Sequence, residues 1–149
     1  MNKQYQIEGG GGARLWAGEW GSPAGPTILF IHGFMQCHLS WQAQLESDLA
    51  KEFRMIAIDN RGHGQSDKPD DSIAYQDGKN WADDIAAVIK ETELQRPVLV
   101  GWSYGGLIML DYCQRYGCDD ISGINFVAAA VRRLQDAGTP PPTIPQARA

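Results

Sequence analysis

The 149 residues contain no apolar run approaching the roughly 18 that a membrane-spanning helix needs. They also contain no cluster of basic residues and only three histidines. Each shortage excludes something. No segment is expected to cross a bilayer. The 13 Lys and Arg are outnumbered by 18 Asp and Glu, for a net charge of -5, so nothing is arrayed to neutralise phosphates. Neither nucleic acid nor an anionic membrane is therefore expected as a partner. Cysteine is scarce too: Cys37, Cys113 and Cys118 are an odd number at no metal-ligand spacing, which argues against a disulfide framework or a metal site legible in the sequence. The opening MNKQYQIEGGGG lacks the apolar core of a secretory signal, and a reducing, cytoplasmic location is the expectation.

Apolar segments that could form strands alternate with segments of helical period. Residues 5–7 and 13–20 flank a glycine turn and suggest an antiparallel hairpin. Continuous apolar runs at 27–31 (TILFI), 54–58 (RMIAI), 98–100 (VLV) and 121–130 (ISGINFVAAA) predict buried strands. Between them, Trp41, Leu45 and Leu49 behind a capping Ser40 predict one helix, and Trp81, Ile85, Val88 and Ile89 a second. A third is expected over 106–116, stopped by Gly117. A polar loop fills the chain from 59 to about 77. The order implies an α/β fold, with a mainly parallel sheet covered by helices on both faces.

One stretch carries chemistry. In VLVGWSYGGL, Ser103 follows an apolar strand, precedes a helix and stands two residues from glycine on either side, Gly101 and Gly105. A strand that turns sharply into a helix drives the central residue to positive φ and crowds the flanking positions, which glycine tolerates. The hydroxyl is then held proud of the sheet, where the helix N-terminus favours a developing anion. The Tyr104 N–H is one candidate donor to that anion. Phe34, leaving the end of TILFI in the stretch HGF, offers a second, with Gly33 allowing close approach.

In this order, TILFIHGF, IAIDNRGHGQSDKP and VLVGWSYGGL resemble the α/β-hydrolase fold, in particular its branch of esterases, C–C bond hydrolases, epoxide hydrolases and cofactor-free haloperoxidase-like enzymes. The resemblance runs to Ala130. It implies Ser103 as nucleophile, Phe34 and Tyr104 as backbone oxyanion donors, His32, Gly33, Gly101 and Gly105 as supports, and no metal or cofactor. A serine where some relatives carry aspartate implies acyl-enzyme chemistry on a small ester or related carbonyl compound.

The chemistry also needs a base, which in this fold follows the serine and the acid in the chain. No histidine follows Ser103. His32 is expected to brace the oxyanion turn, His63 to belong to a tight RGHG turn pinned locally by Asp59 and Arg61, and His38 to lie exposed at a helix start or at the pocket mouth. Asp136 stands where a few relatives place their acid. Beyond residue 131 the apolar period stops and four of the eight prolines fall in the last ten residues, so 132–149 are expected to form an extended or disordered tail. Residues 1–131 then read as the N-terminal part of a hydrolase domain, either weakly active or inactive through truncation, or kept as a non-catalytic binding module. Residues 124–130 are expected to leave a sheet edge open to a second copy or to aggregation.

Overall fold

The computed structural model describes residues 1–131; the expected tail at 132–149 lies outside the described residues. Six strands form one sheet: β1 (Lys3–Glu8), β2 (Arg14–Gly21), β3 (Thr27–Ile31), β4 (Arg54–Asp59), β5 (Val98–Trp102) and β6 (Gly123–Val127), in the order β1-β2-β4-β3-β5-β6. The β1–β2 hairpin is antiparallel, β2 pairs antiparallel with β4, and β3 through β6 run parallel. Among the described residues no helix is long and apolar enough to cross a membrane.

Alternation along each strand distributes the core over two faces. Leu29 and Ile31, Ile56 and Ile58, and Leu99 point to one side, where they meet Trp81, Ile85 and Val88 of α4 (Gly78–Glu91) and Ile108 and Met109 of α5 (Tyr104–Tyr116). Phe30, Met55, Ala57 and Val100 point to the other, against Trp41 and Leu45. Helix α4 starts where Asp77 accepts the Lys79 N–H at 2.8 Å, satisfying one of the unpaired donors of the first turn.

Three expectations are corrected. The helix behind Ser40 is broken into a 3₁₀ turn (His38–Trp41) and two single turns, α1 (Gln42–Leu45) and α2 (Leu49–Glu52). Ser47 Oγ donates to the Gln44 carbonyl at 2.7 Å in competition with helix propagation, Leu49 faces solvent, and Ser40 Oγ meets Gln36 instead of capping. The polar loop contains a further turn, α3 (Ile73–Gln76). The last strand ends at Val127, not at residue 130: Ala128 adopts φ 42°, and the Ala130 N–H reaches the Ser103 carbonyl at 2.9 Å. Strand β6 is the sheet edge and pairs with β5 alone among the described strands.

Candidate active site

The order β4-β3-β5 determines where the site can be. From β3 the chain moves to one side to form β4, then crosses back over β3 to form β5, so the connections leaving the carboxyl ends of β3 and β5 diverge and leave a crevice. The register pairs Ile31 with Gly101. Two residues further on, Gly33 and Ser103 face each other so closely that a Cβ on Gly33 would lie 3.1 Å from that of Ser103. The two motifs, 70 residues apart in sequence, thus meet through strand register.

Ser103 takes φ 52° and ψ -114° immediately before α5, a conformation that costs a non-glycine residue about 1–3 kcal/mol unless its surroundings impose it. They do. The Ser103 N–H donates to the Val127 carbonyl at 3.2 Å, and the Ser103 carbonyl accepts from Gly106 and Ala130 at 3.0 and 2.9 Å. The glycines answer specific contacts. A Cβ on Gly101 would sit 2.5 Å from Met109 Cε and 2.8 Å from the Gly105 backbone, and one on Gly105 would overlap the Ile31 carbonyl oxygen.

The turn after β3 is held by histidines. His32 is fully buried; its Nδ1–H donates to the Gly33 carbonyl at 2.7 Å and its Nε2 accepts the Asn60 N–H at 2.9 Å. Burial pushes its pKa down to about 4, against the opposing pull of the Gly33 hydrogen bond. His63 donates from Nδ1 to the Arg61 carbonyl at 2.8 Å and accepts the Met35 N–H on Nε2 at 3.1 Å. Both nitrogens of each ring are therefore occupied.

The expected local pinning by Arg61 is corrected, whereas Asp59 does act locally. Asp59 accepts the Gln65 N–H at 2.8 Å, and Gly64 at φ 49° sits where a Cβ would overlap the carboxylate. The Arg61 guanidinium instead reaches Asp84 on α4, the Gly10 carbonyl in the hairpin turn, and Ala74 and Asn80. His38 is also corrected: its side chain is 12% exposed, its ring lies 4.2 Å from that of Trp16, and its Nδ1 is 2.9 Å from Asp59 Oδ1. The rigid neighbours Trp16 and Asp59 draw it inward. Neither contact has a local signature in the sequence, since both partners are more than twenty residues away. Asp136 lies outside the described residues.

An open cavity of about 580 Å³ flanks the elbow. Phe34, His63, Tyr75, Trp81 and Tyr104 line it, and their rings meet edge-on or tilted at 5.4 to 6.4 Å. Tyr75 and Trp81 are contributions that sequence reasoning missed: Trp81 reads as a core position of α4, and Tyr75 sits in the turn hidden inside the polar loop.

Comparison with known proteins adds the following. A model of the alpha/beta hydrolase fold family matches residues 26–147. A bifunctional esterase/perhydrolase of Acinetobacter calcoaceticus is 32% identical over 135 residues, covering 91% of this chain and 48% of that protein. Among solved structures, a candidate aryl esterase from Burkholderia cenocepacia is 40% identical, with a TM-score of 0.85 over 87% of this chain and 48% of that one. An esterase from Rhodococcus sp. ECU1013 is 36% identical, with a TM-score of 0.79 over 85% and 46%. The chain spans about half the length of these relatives.

Proposed function

Because this chain belongs to the alpha/beta hydrolase fold family, we propose that it carries the nucleophile and oxyanion half of a serine ester hydrolase. The observation that carries the reading is Ser103 at positive φ, at the N-terminus of α5 and directly across from Gly33. In the proposed reaction Ser103 Oγ attacks the carbonyl carbon of a small ester. The carbonyl π bond opens to an oxyanion received by the backbone N–H groups of Phe34 and Tyr104. Collapse breaks the ester C–O bond, the alkoxide leaves as the alcohol with the proton that Ser103 gives up through solvent, and water then cleaves the acyl-enzyme to the carboxylic acid and free Ser103. Esterases among the relatives and the aromatic lining of the cavity support an ester with an apolar acyl group. The three free thiols support a reducing, cytoplasmic setting.

The proton on Ser103 has no evident acceptor within the described residues. His32 and His63 use both ring nitrogens in holding the oxyanion turn, and no histidine follows Ser103 in the sequence. For the chain of 149 residues the occupied imidazoles set the expected rate, and the second reading is a binding module that keeps the pocket floor. In a well-studied triad, loss of the base costs about 10⁶ in kcat. With p-nitrophenyl acetate, one acetyl group is expected on Ser103 by peptide mass spectrometry, with turnover below about 1 s⁻¹, well under typical enzyme rates. Turnover that survives Ser103→Ala would overturn the assignment, and a folded chain that never acquires acetyl on Ser103 would leave the binding module as the better account.

A further inference from the structure

Cys37, His38 and Asp59 are not used by the ester chemistry, yet one donor atom from each lies within 4.8 Å of the others. We infer that these three side chains form a binding site for a zinc-type dication. The inference does not depend on the role of Ser103.

The donor set is the first argument. A thiolate, an imidazole and a carboxylate suit Zn²⁺ or Co²⁺ in tetrahedral geometry with water in the fourth position, whereas Mg²⁺ and Ca²⁺ prefer oxygen donors throughout.

Preorganisation is the second. Asp59, at the end of β4, is fully buried; its Oδ1 accepts the His38 N–H at 2.7 Å and its Oδ2 the Gln65 N–H at 2.8 Å, so the carboxylate cannot swing away. The His38 ring is packed at 4.2 Å on Trp16. Its Nδ1 stands 2.9 Å from Asp59 Oδ1. Metal arms of about 2.0–2.1 Å give a tetrahedral N-to-O edge of about 3.3 Å, so these two donors need to part by only a few tenths of an ångström. Cys37 is half-buried on extended backbone, φ -151° and ψ -179°, with its sulfur within 4.8 Å of both other donors.

Charge is the third. Among the described residues no lysine or arginine forms an ion pair with Asp59; its partner is His38. On binding, the Cys37 thiol gives one proton to solvent, and the proton between His38 and Asp59 moves to the other ring nitrogen, leaving Nδ1 as the donor. A dication facing one thiolate and one carboxylate makes the site neutral, which suits a buried position.

The test is a titration of the reduced full chain with Co²⁺ alone. One ion per chain is expected, with a near-ultraviolet thiolate charge-transfer band and visible bands of tetrahedral intensity, both removed by Zn²⁺. Cys37→Ser should abolish the charge-transfer band and weaken Co²⁺ binding at least about tenfold, since even outer-shell changes cost that much. The double variant Cys113→Ala/Cys118→Ala should bind as the parent does. Circular dichroism establishes that each variant is folded. Absence of a thiolate band from the folded parent, its survival in Cys37→Ser, or its loss in the Cys113/Cys118 double variant would each overturn the site.

Discussion

Arg61→Ala is the most informative perturbation of this fold, because one buried side chain holds three chain segments, α4, α3 and the hairpin turn, to the turn that carries His63. Arg61 is 1% exposed. Its Nε and Nη2 reach the two oxygens of Asp84 at 2.7 and 2.6 Å, Nη2 also meets the Gly10 and Asn80 carbonyls at 2.7 and 3.1 Å, and Nη1 meets Ala74 at 3.0 Å. Truncation leaves the Asp84 carboxylate buried with the Gly10 N–H at 2.8 Å as its remaining donor. Breaking a buried pair in this way costs about 3–5 kcal/mol. Against a total stability of about 5–15 kcal/mol, and at roughly 2–4 °C per kcal/mol for a chain of this size, Tm should fall by about 6–20 °C.

Burial already pushes the Asp84 pKa up, with Arg61 and the Gly10 N–H pulling it back. Without Arg61 the carboxyl can escape part of the penalty by taking a proton, so the loss should be larger at pH 8 than at pH 5. Arg61→Ala/Asp84→Asn, which removes the stranded charge, should be more stable than Arg61→Ala alone by at least about 1 kcal/mol. Urea unfolding followed by circular dichroism measures all three chains. A loss below about 1 kcal/mol for Arg61→Ala, or a double variant no more stable than the single, would refute the argument that the pair organises the turn.

Gly105→Val should lower stability by about 1–3 kcal/mol, because the new Cβ meets the Ile31 carbonyl, part of a strand that cannot move aside. Acetylation of Ser103 should fall with it, and an unchanged Tm would show that the elbow is not crowded. His32 gives a pH dependence of known sign. Its folded pKa, about 4, lies below the ordinary 6.5, so the unfolded chain takes up the proton first. The stability it contributes is complete above pH 6.5 and is lost as pH falls toward 4, by about 3 kcal/mol in all. Urea midpoints across that range test the loss, and a His32 ring that titrates near pH 6.5 by NMR would contradict it.

Much of the fold was legible because its signals are local. TILFI, RMIAI and VLV announce buried strands by their continuous apolar runs, and the spacing of Trp81, Ile85 and Val88 announces α4. The glycines around Ser103 marked a bend whose steric demands follow from backbone geometry alone. Where local chemistry competed with the apolar period the reading failed: Ser47 draws a hydrogen bond from its own side chain and ends a helix that Trp41, Leu45 and Leu49 seemed to continue. At the other end, Ala128 and Ala130 are as apolar as β6, yet Ala128 leaves the strand at φ 42° and the Ala130 N–H reaches the Ser103 carbonyl across the elbow.

The order of elements, the identity of the elbow serine and the lack of any histidine after it were determined by the sequence itself, because each is a matter of residue type and short-range spacing. Tertiary structure alone decided who meets whom over long separations. Pairing of Ile31 with Gly101 brings Gly33 to Ser103. Arg61 finds Asp84 and Gly10 instead of its neighbours, and His38 turns inward to Asp59 and Trp16 beside Cys37. Such contacts leave no periodic trace, since they depend on strand register and crossover direction, and those are selected by burial of the whole sheet and not by any single segment.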